Sequence, residues 1–209
     1  MFKYFIWDYD GTLFDTYPAI TSTYQEVLKK EYCVDSDFKE ILCWASVSLN
    51  YCSESIANKF GINLNEFRMK FGKLYSENPV KEEPPFAGAK EICELIKSVG
   101  GKNYIITHRD EKSLLKLLGK YNMKVLFEDL ITRDYKFPKK PDPQAFLYLI
   151  KKYHLNPIQT LGIGDREIDI KASKLAGITS CYINYEGIKN EIADFNIKES
   201  LGLRELIGI

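Results

Sequence analysis

The sequence predicts an α/β protein whose parallel sheet is interrupted by an all-helical insertion. Short apolar segments alternate with amphipathic helices over residues 1–8 and roughly 86–185, the pattern of successive βαβ units. Residues 16–84 show helical periodicity instead and contain no convincing strand. Together these observations predict a sheet-containing core with a helical segment inserted after its first strand.

The domain boundaries follow from a proline-rich segment that returns the chain to the core. Residues 82–88 contain two prolines that disfavour helix until Gly88. We therefore predict a core formed by residues 1–15 and 84–209, and a helical cap formed by residues 16–83. An insertion that leaves directly after the end of a strand is a natural lid for whatever lies at that end.

The strands of the core are predicted from short apolar runs that are bounded by turn or helix signals. These runs are Tyr4–Trp7, Asn103–Thr107, Leu130–Thr132, Thr160–Gly164 and Ile178–Ile183. Helices are expected between them. One covers Gly88–Ser98 and ends before a glycine pair, and another starts at Arg166 and stops before Gly177. Asp142 and Pro143 predict a third helix, with an N-cap followed by proline at the first helical position.

The helices of the insertion begin soon after the first strand. Thr16 can cap a helix that Pro18 begins. Apolar side chains at helical spacing then predict four helices, over Ala19–Lys30, Asp37–Ala45, Ser53–Phe60 and Asn65–Glu77. This part of the chain is therefore predicted to be a small helical unit with its own core.

The composition is that of an ordinary globular protein. Hydrophobic residues make up 45% and charged residues 28% of the sequence. The formal net charge is zero, which argues against electrostatic binding to nucleic acid or to an anionic membrane. The five cysteines are scattered and form no Cys-x-x-Cys pair, which disfavours a disulfide framework or a zinc site. Without a signal-peptide pattern or a long apolar span, we expect a cytoplasmic protein.

Two carboxylates stand two residues apart at the end of the first predicted strand. Residues i and i+2 of a strand project from the same face, so Asp8 and Asp10 can reach one small volume. Gly11 permits a backbone turn that other residues resist. One carboxylate can act as a nucleophile and its neighbour as a proton donor. Their oxygen atoms are also suitable ligands for Mg²⁺.

Other polar groups follow the later strands of the predicted sheet. Thr107 precedes the start of a helix, whose free N–H groups favour an anion. Lys140 supplies a positive charge ahead of a proline turn. Asp165 and Asp169 follow the fourth predicted strand. Because ligands bind beyond the carboxyl ends of parallel strands, these groups predict phosphoryl transfer at one edge of the sheet.

The order and spacing of these motifs resemble those of the haloacid dehalogenase superfamily. The motifs are Asp8–Thr16, Ile106-Thr107, Lys140–Pro143 and Gly164-Asp165 with Asp169. The resemblance covers nearly the whole chain and is closest to the phosphoglycolate phosphatase and β-phosphoglucomutase branch, which carries a helical cap after the first motif. It implies a Rossmann-like core. It also implies a Mg²⁺-dependent phosphatase for a small metabolite that resembles phosphoglycolate or a sugar phosphate.

The resemblance also implies roles for the acidic residues. Asp8 would be the nucleophile that becomes phosphorylated, and Asp10 would protonate the leaving oxygen and then activate water. Mg²⁺ would bind the Asp8 carboxylate, the backbone carbonyl of Asp10 and Asp165. Asp169 would complete or orient the metal shell. The expected metal site is therefore formed by Asp8, Asp10, Asp165 and Asp169.

The substrate phosphate has its own set of expected contacts. By the same resemblance, Thr107 would hold a phosphate oxygen and Lys140 would neutralise both Asp8 and the phosphate. Gly11 and His108 are the other expected substrate-binding residues. His108 departs from the asparagine or glycine of many relatives, and we expect it beside the substrate rather than as a general base. Lys139 could compete with Lys140, which we favour because it directly precedes Pro141.

Simpler interpretations exist for the single residues. Thr107 could be only a helix N-cap, and Lys140 only a solvated surface lysine. Asp169 could be a first-turn residue that the helix dipole stabilises. For the chain as a whole, the alternatives are a phosphomutase with the same residues, a metal-free dehalogenase and a non-catalytic binding protein. A dehalogenase would leave Asp10 and Asp165 without a purpose, and the intact acidic and lysine set argues against a binding protein.

Overall fold

The computed structural model describes residues 1–77 and 82–208 of the chain. The chain divides into two compact units, one formed by Met1–Phe14 with Pro85–Ile209 and the other by Asp15–Pro84. Each division lies one residue from the position expected from the sequence. Residues 78–81 of the predicted cap lie outside the described residues.

A parallel sheet forms the centre of the first unit. Within the described residues its strands are β1 (Tyr4–Trp7), β2 (Lys102–Ile106), β3 (Phe127–Ile131), β4 (Thr160–Gly164), β5 (Thr179–Ile183) and β6 (Phe195–Ile197). They lie in the order β3-β2-β1-β4-β5-β6, and every neighbouring pair is parallel. This arrangement is Rossmann-like, which confirms the predicted fold class. Since β1 lies between β2 and β4, the carboxyl ends of these three strands are neighbours.

Two edges of the sheet differ from the prediction. The sequence did not predict β6, which has three residues, too few for a periodic signal. At the other edge, β3 begins three residues earlier than expected because Glu128 and Asp129 interrupt its apolar run. An edge strand tolerates such charged side chains, which also discourage pairing with another sheet.

Helices cover both faces of the sheet. Those of the first unit are α5 (Ala89–Ser98), α6 (Glu111–Lys120), α7 (Gln144–Tyr153), α8 (Glu167–Leu175) and α9 (Arg204–Ile207), with short 3-10 helices at Lys124–Leu126, Arg133–Tyr135, Pro157–Gln159 and Ser200–Leu203. Alternate strand residues enter different cores: Phe5 and Trp7 belong to one buried cluster, and Ile6 belongs to another. Burial on both faces explains why the strands read as continuous apolar runs.

Helices are the secondary structure of the second unit within its described residues. It contains α1 (Tyr17–Tyr32), α2 (Phe38–Val47), α3 (Leu49–Phe60) and α4 (Leu64–Glu77). Its core includes the stacked rings of Tyr24 and Phe71, whose centroids are 4.0 Å apart. No helix in the described part of the chain combines the length and apolar character that crossing a bilayer requires.

Helix α3 begins at Leu49 and not at the expected Ser53, because Ser48 caps it by accepting the Tyr51 N–H. Two other helix starts differ from the prediction in their capping residues. Pro143 is the N-cap of α7, so the helix begins one residue later than predicted. Asp142 still contributes, because its Oδ1 accepts a hydrogen bond from the Gln144 N–H at 2.9 Å. Thr16 is the N-cap of α1, but its hydroxyl makes no capping hydrogen bond. Both differences are local and leave the order of the elements unchanged.

Candidate active site

A tight turn at the end of β1 carries the first two acidic residues. The Asp8 N–H donates to the carbonyl of Ile163 in β4 at 2.8 Å, which extends the pairing of the strands by one residue. The chain then turns at Gly11, whose φ of +81° is strained for other residues. The Gly11 N–H donates to the Phe14 carbonyl at 2.9 Å and closes the turn. Asp8 and Asp10 are therefore held at the carboxyl edge of the sheet.

A buried lysine joins two buried carboxylates at this edge. The Lys140 Nζ lies 2.5 Å from Asp8 Oδ1 and 2.5 Å from Asp169 Oδ1, and each of the three side chains is at most 2% exposed. The same Nζ donates to the backbone carbonyl of Ile106, at the end of β2, at 3.1 Å. The neighbouring Lys139 is exposed. The structure thus brings Lys140, and not Lys139, into contact with Asp8.

The charges of this cluster depend on one another. Burial by itself would lower the pKa of Lys140, but the Asp169 and Asp8 carboxylates outweigh burial and raise it above its ordinary value. Burial opposes ionisation of Asp169, yet the charges of Lys140 and Arg166 hold its pKa below the ordinary value. For Asp8, burial raises the pKa and Lys140 counteracts this. An ionised carboxylate at Asp8 therefore depends on the cations around it.

Three carboxylates can share one cation at this site. Asp8, Asp165 and Asp169 each offer an oxygen atom, and these atoms all lie within 4.8 Å of one another. The Thr12 hydroxyl donates to Asp165 Oδ1 at 3.0 Å and thereby orients that carboxylate. A donor set of carboxylate oxygens suits a hard divalent cation such as Mg²⁺ rather than a soft metal. The arrangement therefore fits the metal expected from the sequence.

Two glycines of β4 let helix α8 approach closely enough to place Asp169. A Cβ atom added at Gly162 would lie 2.1 Å from the Ser173 Oγ, and one added at Gly164 would lie 2.2 Å from the Asp169 Cβ. Neither distance is compatible with a side chain. The Arg166 N–H at the start of α8 also donates to Asp169 Oδ2 at 3.1 Å. Asp169 is therefore fixed by backbone packing as well as by charge.

Replacing Gly164 by alanine is expected to destabilise the protein by about 1–3 kcal/mol, because the new methyl group would displace Asp169 or shift α8. Gly119 near the end of α6 is a matched control, because a Cβ there meets no atom within 4 Å. Urea denaturation of both variants checks the stability, and equal stability of Gly164→Ala and Gly119→Ala would contradict the packing argument.

The loop after β2 brings Thr107 and His108 to the same edge. The Thr107 N–H donates to the Ile131 carbonyl in β3 at 2.9 Å, and its hydroxyl oxygen accepts the Arg109 N–H at 3.1 Å. The His108 Nε2 accepts the backbone N–H of Lys140 at 3.0 Å. Burial, with Lys140 next in importance, lowers the pKa of His108 to about 3, so its ring is neutral and can accept this bond. His108 therefore contacts the backbone that carries Lys140.

Sequence reasoning missed one prominent residue of the site. The guanidinium of Arg109 contacts the Asp10 carboxylate through two nitrogens, with Nη2 at 2.6 Å and Nε at 3.1 Å from Oδ1. The Arg109 side chain is only 6% exposed. A signal was available, because Arg109 follows Thr107 closely after the end of a predicted strand.

The chain is similar to known proteins over most of its length. Residues 5–183 match the family model described as haloacid dehalogenase-like hydrolase. The chain is 28% identical to the phosphoglycolate phosphatase of Aquifex aeolicus, over 97% of this chain and 95% of that protein. It is 27% identical to the phosphoglycolate phosphatase of Photobacterium profundum, over 87% of this chain and 81% of that protein.

A solved structure supports the same relationship. A hydrolase from Streptococcus pneumoniae TIGR4 is 27% identical to this chain, with a TM-score of 0.69, over 100% of this chain and 99% of that chain. The family match spans most of the sequence, including every motif from Asp8 to Asp169. The chain therefore belongs to the haloacid dehalogenase-like hydrolase family.

Proposed function

We propose that this protein is a Mg²⁺-dependent phosphatase that hydrolyses a small phosphorylated metabolite through an aspartyl-phosphate on Asp8. Hydrolase activity follows from family membership, and the curated relatives are phosphatases. The observation that carries the proposal is the contact of Lys140 with Asp8 and Asp169, beside the oxygen atoms of Asp165. The proposed nucleophile, a buried cation and the candidate metal ligands thus lie at one edge of the sheet.

The balance of charge supports a divalent cation at this site. Three of its carboxylates, Asp8, Asp165 and Asp169, lie close together, and the cationic side chains described above as acting on them are Lys140 and Arg166. These carboxylates outnumber these cations, so a phosphate dianion would meet net negative charge without a further cation. When bound, Mg²⁺ supplies positive charge that neutralises the phosphate oxygens. Asp8, Asp165, Asp169 and the Asp10 carbonyl would hold it.

The chemistry proposed for the residues has two steps. First, an Asp8 carboxylate oxygen forms a bond to phosphorus while the bond from phosphorus to the ester oxygen breaks, and Asp10 donates a proton to that oxygen. Second, water attacks the phosphorus of the aspartyl-phosphate while Asp10 takes a proton from it. The bond from Asp8 to phosphorus then breaks, which releases inorganic phosphate and restores the carboxylate. Thr107 and Lys140 hold and neutralise the phosphate oxygens in both steps.

We propose a phosphorylated small acid or sugar as the substrate class, with 2-phosphoglycolate as the first compound to test. This choice is supported by two relatives that match most of this chain, both of which are phosphoglycolate phosphatases. A panel of phosphorylated metabolites, assayed by release of inorganic phosphate with Mg²⁺, tests this proposal. The proposal is supported if 2-phosphoglycolate has the highest kcat/KM of the panel. It is contradicted if the enzyme prefers an unrelated phosphoester.

Removal of the divalent cation by EDTA is expected to abolish hydrolysis of p-nitrophenyl phosphate, and added Mg²⁺ should restore it. The variant Asp165→Asn should raise the Mg²⁺ concentration for half-maximal rate about 10-fold or more, because even outer-shell changes cost about 10–100-fold in metal affinity. Asp134→Asn is the control: Asp134 is exposed, and asparagine keeps an oxygen that can accept the Glu111 N–H. Activity of the wild type in EDTA would contradict the metal requirement.

A further inference from the structure

The contact between Arg109 and Asp10 is an ion pair of the site that the proposed chemistry does not use. The guanidinium Nη2 lies 2.6 Å from Asp10 Oδ1, and its Nε lies 3.1 Å from Oδ1 and 3.3 Å from Oδ2. Two nitrogens on one carboxylate fix the plane and direction of that group as well as its distance. The two residues are 99 positions apart in sequence. The contact therefore links the turn after β1 to the loop after β2.

Arg109 is itself held on several sides. Its Cζ lies 5.3 Å from the centre of the Tyr9 ring, over the ring face. Its backbone N–H donates to the Thr107 hydroxyl oxygen, and its carbonyl accepts the Arg133 N–H at 3.2 Å. The next residue, Asp110, caps helix α6. The side chain thus starts from a fixed backbone and is buried along its length.

Asp10 is less enclosed than Asp8. It lies beyond the last residue of β1, in the turn, and its side chain is 24% exposed, whereas that of Asp8 is 2% exposed. Lys140 fixes the carboxylate of Asp8, and the planar guanidinium of Arg109 contacts the carboxylate of Asp10. A group that transfers protons must be held in reach of the reacting oxygen, and a misplacement of 1 Å can cost about 100-fold in rate.

We propose that Arg109 is a positioning residue that holds the Asp10 carboxylate in the orientation its proton transfers require. This inference rests on the proposed function, because it takes the acid and base role of Asp10 from there. It assigns Arg109 no contact with the substrate. Its effect on the reaction therefore passes through Asp10 alone.

A double-mutant cycle tests this assignment with p-nitrophenyl phosphate and saturating Mg²⁺. The four proteins are the wild type, Arg109→Met, Asp10→Asn and the double variant. We expect Arg109→Met to lower kcat about 100-fold with a change in KM of less than about threefold. In the Asp10→Asn background the same substitution should lower kcat less than about threefold further, because the group it positions is already inactive. Arg109→Lys should recover kcat only in part, since an ammonium lacks the two-nitrogen fork.

Arg133→Met provides the matched control. Arg133 is 62% exposed and reaches Asp110 only at 3.5 Å, so its removal should leave kcat, KM and the melting temperature unchanged. Independent, multiplying losses in kcat for Arg109→Met and Asp10→Asn would overturn the inference. A rise in KM at unchanged kcat would also overturn it, because Arg109 would then bind the substrate directly. If Asp10→Asn kept full activity, Asp10 would have no role in catalysis for Arg109 to support, and this result would also overturn the inference.

Crystal structures of the wild type and of Arg109→Met give a readout that does not depend on turnover. We expect the Asp10 side chain to turn away or to occupy several rotamers in the variant. An unchanged Asp10 rotamer would contradict it, and Arg109→Lys serves the same comparison if the methionine variant does not fold. A wild type that hydrolyses no phosphoester would refute the proposed function, whereas an active wild type with independent losses would refute only the role of Arg109.

Discussion

Replacing Asp8 by asparagine is expected to lower the Mg²⁺-dependent hydrolysis of p-nitrophenyl phosphate by roughly 10⁵-fold, in line with the loss of other nucleophiles in covalent catalysis. Asparagine has nearly the same shape but its amide does not attack phosphorus. The side chain at position 8 therefore changes little in volume. Lys140 keeps its 2.5 Å contact with Asp169, so its charge stays paired. The loss should therefore appear in kcat and not in the fold.

The measurement needs a control for the removal of one carboxylate. Asp35→Asn serves this purpose, because the Asp35 side chain is 85% exposed in the helical unit and its ion pair is with an exposed lysine, Lys29. It should retain wild-type activity. Trapping of phosphate on the wild type but not on Asp8→Asn, by mass spectrometry after acid quench, would support the aspartyl-phosphate directly. An Asp8→Asn variant with more than a few per cent of wild-type activity would refute Asp8 as the nucleophile.

Replacing Lys140 by methionine is expected to lower both stability and activity. The change removes the ammonium between Asp8 and Asp169, so two buried carboxylates face each other without it. Breaking a buried ion pair on one side costs about 3–5 kcal/mol of unfolding free energy. The rate should fall about 10³-fold, because the phosphate and the nucleophile lose a neutralising charge in a dry site. Urea denaturation in EDTA and steady-state kinetics in Mg²⁺ measure the two effects.

Lys139→Met is the matched control for this experiment, since Lys139 is the exposed neighbour of Lys140. It should resemble the wild type in both measurements. Mg²⁺ should also stabilise Lys140→Met more than it stabilises the wild type, because the cation then neutralises carboxylates that Lys140 otherwise neutralises. A Lys140→Met protein with wild-type stability in EDTA would show that the lysine is not the partner of these carboxylates.

Much of the fold could be predicted because its signals are local. The run Tyr4–Trp7 is apolar throughout, which is expected of a strand covered on both faces, and β1 has those bounds. Helix α5 has apolar residues at helical spacing and ends near a glycine pair, and it was predicted to within one residue. The three-residue β6 escaped prediction because pairing with β5, and not its own pattern, makes it a strand.

The candidate site was predictable to the extent that strand ends could be located. Asp8 and Asp165 each follow an apolar run, and parallel strands present their carboxyl ends at one edge. The sequence favoured Lys140 over Lys139 only because Lys140 directly precedes Pro141, since a lysine doublet does not by itself show which side chain turns inward. Contact with Asp8, 132 residues away, distinguishes it from Lys139.

The strand-end carboxylates, the motif order and the helical insertion could be predicted because each depends on residues close together in the chain. Three contacts could be found only in the folded chain: Arg109 with Asp10, His108 with the Lys140 N–H, and Asp169 against Gly164. These contacts depend on which strands are neighbours and on how closely a helix packs against them. Distances between separate strands and loops are set by the whole sheet and its packing, so no local pattern encodes them.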